Sequence, residues 1–190
     1  NGWDVTVVID DLDLAGVSTL HTTEAAQFSS GSGNISLALA FADGFVQNAT
    51  SNVDIRDMRV GDEPGVSIAG RFEYRRDAEG WLVASNRYRL ETQNGVWPDA
   101  SLRIKAGVDA NGKIATADLY TSYIDLDDLN VLIPWLTAEQ YDRVAIYSPD
   151  GVIRDLAVTL AGIDTPVPDF DVSAEFDNVG IAANGELPGV

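Results

Sequence analysis

The sequence has no cysteine, one histidine and only two lysines among its twelve basic residues. The absence of cysteine excludes disulfides, thiol catalysis and thiolate metal sites. His21, the only histidine, lies in a polar stretch, which argues against a catalytic triad and against a multi-histidine metal site. No run of about 18 apolar residues occurs, so the sequence predicts no membrane-spanning helix.

Positively charged residues are also scarce: 12 Lys and Arg stand against 30 Asp and Glu, so the net charge is −18 and the isoelectric point is near 4.1. Such a surface repels phosphate backbones and anionic membrane surfaces, so we expect no nucleic-acid partner. Hydrophobic residues make up 45 % of the 190 residues, which is ordinary for one folded domain or part of a larger one. From its two ends we expect a segment of a longer protein.

Three β-hairpins follow one another between residues 34 and 123. Apolar residues alternate with small or polar ones, and the turns fall at 43–44, 77–80 and 109–112. Alternation with period two around Asp-Gly and Asn-Gly turns is typical of antiparallel hairpins. Further strands are predicted at 4–10, 152–160 and 170–176, about nine in all, with a loop and one helical turn over 11–32. The fold class is mainly β, an antiparallel meander.

The pattern changes to helical spacing after residue 124. Leucine and isoleucine recur at three- and four-residue intervals from Leu126 to Leu136, and Pro134 limits this first helix to a few turns. Thr137 followed by Gln140 resembles a capping box that starts a second short helix, which ends by residue 148. We therefore predict a helical insert at about 125–148.

Acidic residues cluster at three places, but none of the clusters has the spacing of a calcium-binding loop. Helix caps, turns and solvated charge explain them better. These clusters are Asp10, Asp11 and Asp13; Asp125, Asp127 and Asp128; Asp169 and Asp171. We expect no metal and no cofactor. A carboxylate pair of the glycosidase type stays open at this point, because any two strands can bring two acids together.

The function depends on what covers the apolar faces of the strands. Two sheets packed face to face would make a β-sandwich, such as an adhesion or carbohydrate-binding module that uses Trp81 or Trp97. A single curled sheet would instead leave the apolar side chains lining a trough. Composition does not separate these two alternatives.

Several elements of the C-terminal half resemble elements that a known family carries in the same order. The run from Tyr147 to Leu156 is similar to the Pro-x-Gly-x-φ-x-Asp-Leu element of the YhdP-type, AsmA-like envelope proteins of Gram-negative bacteria. The strand at 170–176, the Pro-Gly element at 185–190, the helical segment at 126–136 and Gly-Val-Trp-Pro at 95–98 also resemble that family. The resemblance is good over 80–190 and loose over 1–79.

The resemblance implies a non-enzymatic lipid conduit. Its sheet would curl into an open, taco-like groove that binds phospholipid acyl chains between the inner and outer membranes. Residues 1–190 would be one segment of a longer, repeating β-groove protein, anchored in the inner membrane and periplasmic. Its partners would be phospholipid and neighbouring segments of the same chain. The groove candidates are Ile35, Leu37, Leu39, Phe41, Ile68, Phe72, Tyr74, Leu82, Tyr88, Leu90, Leu102, Ile104, Val108, Leu156, Val158, Leu160, Phe170, Val172 and Phe176.

Overall fold

A computed structural model describes residues 2–18, 28–62, 64–129, 149–163, 165 and 167–181. One short helix, α1, spans Leu14–Ser18, and a single 3₁₀ turn spans 126–129. The ten strands are β1 (Gly2–Asp13), β2 (Phe28–Ala42), β3 (Phe45–Val60), β4 (Val66–Asp77), β5 (Gly80–Thr92), β6 (Gly95–Val96), β7 (Ala100–Val108), β8 (Ile114–Asp125), β9 (Pro149–Ala161) and β10 (Asp169–Ile181).

All ten strands belong to one antiparallel sheet that is not closed into a barrel. The order is β1-β2-β3-β4-β5-β7-β8-β9-β10, and the two-residue β6 pairs with β5 beside this path. Strands pack mainly against their hydrogen-bonded neighbours, and no second sheet covers either face in the described part of the chain. The mainly β meander is thus confirmed, and the β-sandwich alternative is wrong for these residues.

The three predicted hairpin turns are confirmed, and their aspartates explain them. Asp43 and Gly44 both have positive φ, 53° and 83°, as a tight two-residue hairpin requires. Asp77 Oδ1 accepts the backbone N–H groups of Glu79 and Gly80 at 2.9 and 3.1 Å. Asp109 similarly accepts N–H groups within its own turn. These turns lie at one end of the sheet, here called the hairpin end; the other is the distal end.

The prediction of a loop over 11–32 is wrong in its second part. Residues 19–27, which include His21, lie outside the described residues, but β2 already begins at Phe28. The small residues that suggested a loop permit close strand pairing instead. A Cβ on Gly33 would overlap the backbone of Asp54 and Ile55 on β3. Ser29 and Ser30 donate hydrogen bonds to backbone carbonyls at the end of β3.

The helical insert is described only at its start. The 3₁₀ turn at 126–129 follows β8 directly, and Asp125 Oδ1 accepts the N–H of Asp127 at 3.1 Å, as a cap does. Leu126 is buried, with 8 % of its surface exposed. The predicted helical residues from 130 to 148 lie outside the described residues.

Bulges interrupt the pairing of several strands toward the distal end. Asp11, Asp57, Asp155 and Asn178 have φ between 47° and 55°, and each lies at a register shift of β1, β3, β9 or β10. Asp and Asn tolerate this left-handed conformation better than other non-glycine residues. Because a bulge increases local twist, these residues bend the strands away from a flat sheet.

Candidate functional site

The register of the strands places one uninterrupted apolar row across the whole sheet. Each residue in it is the direct cross-strand partner of the next, and no charged residue enters it. From β1 to β10 the row consists of Val5, Leu39, Ala49, Tyr74, Val83, Ile104, Leu119, Val158 and Val172. Because side chains alternate between the faces of a strand, these nine residues all lie on the same face, here called the apolar face.

The neighbouring row, one residue along each strand, lies on the opposite face and is polar or small. It consists of Thr6, Ala38, Thr50, Glu73, Ala84, Arg103, Tyr120, Ala157 and Ser173. This side is here called the polar face. The sheet is therefore amphipathic over its full width, as expected when one side stays in water.

Exposure along the apolar face rises from the centre of the sheet to its edges. Ile55 and Val66, on β3 and β4, are 9 % and 6 % exposed, whereas Trp3 on β1 and Phe170 on β10 are 56 % and 73 % exposed. In the centre, neighbouring side chains cover one another: the Tyr88 hydroxyl reaches across Ala100 to Thr121, 3.5 Å away. The outer strands thus present large apolar side chains that no described residue covers.

Most of the predicted groove residues share the apolar face. The cross-strand pairs connect them to the nine-residue row or to rows two, four or six residues away from it. They are Ile35, Leu37, Leu39, Phe41, Ile68, Phe72, Tyr74, Tyr88, Leu90, Leu102, Ile104, Val108, Leu156, Val158, Leu160, Phe170 and Val172.

Leu82 does not share this face, which corrects the prediction. Its direct partners are Arg75 and Lys105, and with them it lines a shallow depression of about 190 Å³ on the polar face. The reason is a bulge in β5 after Ser85, at which the register shifts against both neighbouring strands. Counting back in twos from Tyr88 and Leu90 therefore reaches the wrong face beyond the bulge.

Phe176 lies beyond another register shift, between Ser173 and Glu175 on β10. Its direct partner is Ile153, which pairs in turn with Ile124 on β8. Phe176 is 66 % exposed and sits in a separate apolar row near the distal end of the edge strand.

The predicted groove residues include none on β1, β3 or β8, although all three strands contribute to the apolar face, β8 through Leu119. On β1 these are Trp3, Val5, Val7 and Ile9. On β3, Ala49, Val53 and Ile55 pair with apolar-face residues, but Ser51 lies among them and hides the alternation. For β1, the alternation of Trp3, Val5 and Val7 was a usable signal.

At the distal end, a buried carboxylate connects two parts of the sheet. Asp128, 3 % exposed, accepts hydrogen bonds from Thr92 Oγ1 and Asn94 Nδ2, both at 2.8 Å, and from Trp97 Nε1 at 2.6 Å. The ring of Trp97 also packs edge-on against Tyr123. These contacts fix the turn after β8 against the chain between β5 and β7, and they engage the polar edge of Trp97 within the protein.

Two groups beside this cluster have raised pKa values. Partial burial, with the nearby Asp127 and Asp128 charges, raises the pKa of Asp125, although the N–H of Asp127 opposes this. Burial also raises the pKa of Tyr123. On the polar face, the hydrogen bond from Tyr120 to Asp155, 2.7 Å long, raises the pKa of Tyr120.

No group of three or more His, Cys, Asp or Glu side chains in the described ranges is arranged to hold a metal ion. Within the same residues, no helix is long and apolar enough to cross a bilayer.

The fold and the apolar face define a protein of one open β-sheet layer with a continuous apolar side. The chain belongs to the YhdP family: the family model described as "YhdP protein" matches residues 3–190. This family is related to lipid transport in the cell envelope and is not known for enzymatic activity. No curated protein and no solved structure matches the chain significantly.

Proposed function

We propose that this chain is a non-enzymatic conduit segment that binds phospholipid acyl chains on its apolar face and passes them between the inner and outer membranes. The observation that carries this proposal is the row of nine apolar residues from Val5 to Val172, which crosses all the main strands without a charge. Membership of a family related to lipid transport supports the same occupant.

The dimensions of the apolar face suit an acyl chain. A strand of 12 residues, such as β8, is roughly 40 Å long, and an acyl chain spans about half of a hydrocarbon core roughly 30 Å thick. Each buried methylene contributes about 0.8 kcal/mol, so many weak contacts supply affinity without a polar site. Because the nine residues of the row offer no charged group to hold a ligand in one place, an acyl chain can move along the row with little resistance.

The two edges of the sheet support the idea of a longer groove. β1 and β10 each pair on one side only among the described residues. An edge strand exposes unpaired backbone groups that readily pair with another strand. We propose that neighbouring segments of the same chain continue the sheet at these edges and that the whole groove lies in the periplasm.

The proposal is tested by measuring phospholipid in the purified chain. Lipids extracted from the protein are quantified by mass spectrometry, for the unmodified chain and for Ile104→Asp. Ile104 lies in the middle of the apolar row, and a carboxylate there requires desolvation when an acyl chain covers it. We expect bound phospholipid in the unmodified chain and a loss of most of it in Ile104→Asp.

Ala69→Asp is the matched control because it adds the same charge to an exposed site on the polar face, between Asp54 and Arg89. This variant should retain its phospholipid. Unmodified protein that is consistently free of lipid, or equal losses in both variants, would refute the proposal.

A further inference from the structure

The apolar face ends in a cation at the hairpin end. On β4 the alternation Phe72, Tyr74, Arg76 continues along this face, and Arg76 pairs directly with Trp81 on β5. Trp81 begins a row that runs through Ala106, Ala117 and Leu160 to Phe170. Arg76 is therefore positioned at the rim of the same surface that we propose to hold acyl chains.

One aromatic ring contacts this cation, and others lie at the same end of the sheet. The Arg76 guanidinium lies over the Phe45 ring, 4.9 Å from its centroid. Nearby at the same end, Trp3 stacks on Phe41 with centroids 4.0 Å apart, and Trp3 stays 56 % exposed. Aromatic rings with cations beside them are favoured where apolar and aqueous environments meet.

Arg76 differs from the cations at the distal end in having no carboxylate partner among the described residues. Asp77, its neighbour, directs Oδ1 to the N–H groups of its own turn. At the distal end the arginines form ion pairs with aspartates. These pairs are Arg56–Asp54, Arg59–Asp57, Arg87–Asp99, Arg89–Asp99 and Arg154–Asp177.

The two ends of the apolar face thus differ in what they offer an anion. At the distal end Asp127 is exposed beside the end of β8, and the arginines already hold carboxylate partners. The hairpin end presents an exposed guanidinium, which binds phosphate oxygens through two parallel N–H donors. The hairpin end also carries Asp43, Asp77 and Glu79, so the two ends differ in the guanidinium of Arg76, which no described carboxylate pairs, rather than in the sign of the local charge.

We propose that Arg76 binds the phosphate group of a lipid at the hairpin end, so that the acyl chain extends from there along the apolar face toward the distal end. This inference rests on the proposed acyl-chain binding. It adds to that function an orientation of the lipid and a preference for amphiphiles with an anionic phosphate group.

Two probes with the same alkyl chain separate headgroup binding from acyl-chain binding. Dodecyl phosphate and 1-O-dodecylglycerol are titrated into the purified chain by calorimetry, below their aggregation concentrations. In Arg76→Gln we expect the affinity for dodecyl phosphate to fall roughly five- to tenfold, while that for dodecylglycerol changes less than about twofold. Arg76→Lys should retain an intermediate preference, since it keeps the charge but loses the paired donors.

Arg103→Gln is the control, because Arg103 is an exposed cation on the polar face with no carboxylate partner in the described part of the chain. It should leave both affinities unchanged. Equal losses for both probes in Arg76→Gln, or an equal effect of Arg103→Gln, would overturn the assignment of the phosphate to Arg76 but not acyl-chain binding. If neither probe binds the unmodified chain, both proposals fail.

Discussion

The indole Nε1 of Trp97 donates a 2.6 Å hydrogen bond to Oδ2 of Asp128, and this bond joins the chain before β7 to the turn after β8. The carboxylate is 3 % exposed and also accepts from Thr92 and Asn94. A buried carboxylate needs such donors because their loss leaves its desolvation uncompensated. The distal end of the sheet therefore depends on this one side chain.

Trp97→Phe tests that dependence. It keeps an aromatic ring against Tyr123 but removes one of the three donors to Asp128, so we expect a loss of about 1–3 kcal/mol in the free energy of unfolding. Urea denaturation provides the measurement. Trp3→Phe is the control, since Trp3 is exposed and stacks on Phe41, a contact that phenylalanine also makes. Equal stability of the two variants would show that the network contributes little.

Replacing Asp125 with asparagine should change stability in a pH-dependent way. Burial raises the pKa of Asp125 above its ordinary value of 3.8, so the folded state disfavours the charged form. Protonated Asp125 therefore contributes to the free energy of unfolding below pH 3.8, and this contribution is lost as the pH rises through the folded-state pKa. Asp125→Asn should therefore be more stable than the unmodified chain at pH 7 and equal to it near pH 3.

Asp109→Asn provides the opposite case. Hydrogen bonds from the backbone of Lys113, and from Asn111 and Gly112, lower the pKa of Asp109. The ionised Asp109 side chain therefore contributes to the free energy of unfolding above pH 3.8, and this contribution is lost as the pH falls through the folded-state pKa. This variant should be less stable than the unmodified chain at pH 7, and the difference should shrink in acid. The same sign for both variants in urea titrations at the two pH values would contradict this interpretation.

Gly33→Ala should destabilise the pairing of β2 and β3. A Cβ at this position would overlap the backbone of Asp54 and Ile55, which cannot move without breaking the strand register. We expect a loss of about 2–4 kcal/mol by thermal or urea denaturation. Gly44→Ala meets no atom within 4 Å but retains a φ of 83°, so it should lose only about 1 kcal/mol.

Leu82→Asp and Val83→Asp test which face of β5 binds lipid. The two residues are adjacent, yet Val83 belongs to the apolar row and Leu82 faces Arg75 and Lys105. Val83→Asp should remove most bound phospholipid, whereas Leu82→Asp should retain it. If instead Leu82→Asp removes the lipid, the binding surface is not the apolar face.

The hairpins could be predicted from sequence because their turn chemistry is local. Asp43 and Gly44 both adopt the required positive φ, and the turn at 109–112 combines a positive φ at Gly112 with a side-chain acceptor, Asp109. The face on which a side chain lies is harder to predict from sequence, because a single bulge reverses it. The bulge after Ser85 places Leu82 on the polar face, and the residue types at 85–87 do not predict a bulge.

The early start of β2 and the role of β3 could not be predicted for a related reason. The serines and glycines at 29–33 indicate a loop in isolation, but the backbone of β3 requires small residues opposite it. Ser51 interrupts the apolar alternation of β3 without changing its pairing. In both cases the deciding partner lies on another strand, and cross-strand pairing is not encoded in the local sequence.

Photo-crosslinking from neighbouring positions of β7 tests the central claim most directly. A photoreactive residue is introduced singly at Leu102, Arg103, Ile104 or Lys105, and crosslinked phospholipid is identified by mass spectrometry after irradiation of intact cells. Leu102 and Ile104 lie on the apolar face, and Arg103 and Lys105 lie on the polar face. We expect lipid adducts at 102 and 104 and none at 103 and 105. Adducts at all four positions, or at none, would contradict an acyl-chain site on the apolar face.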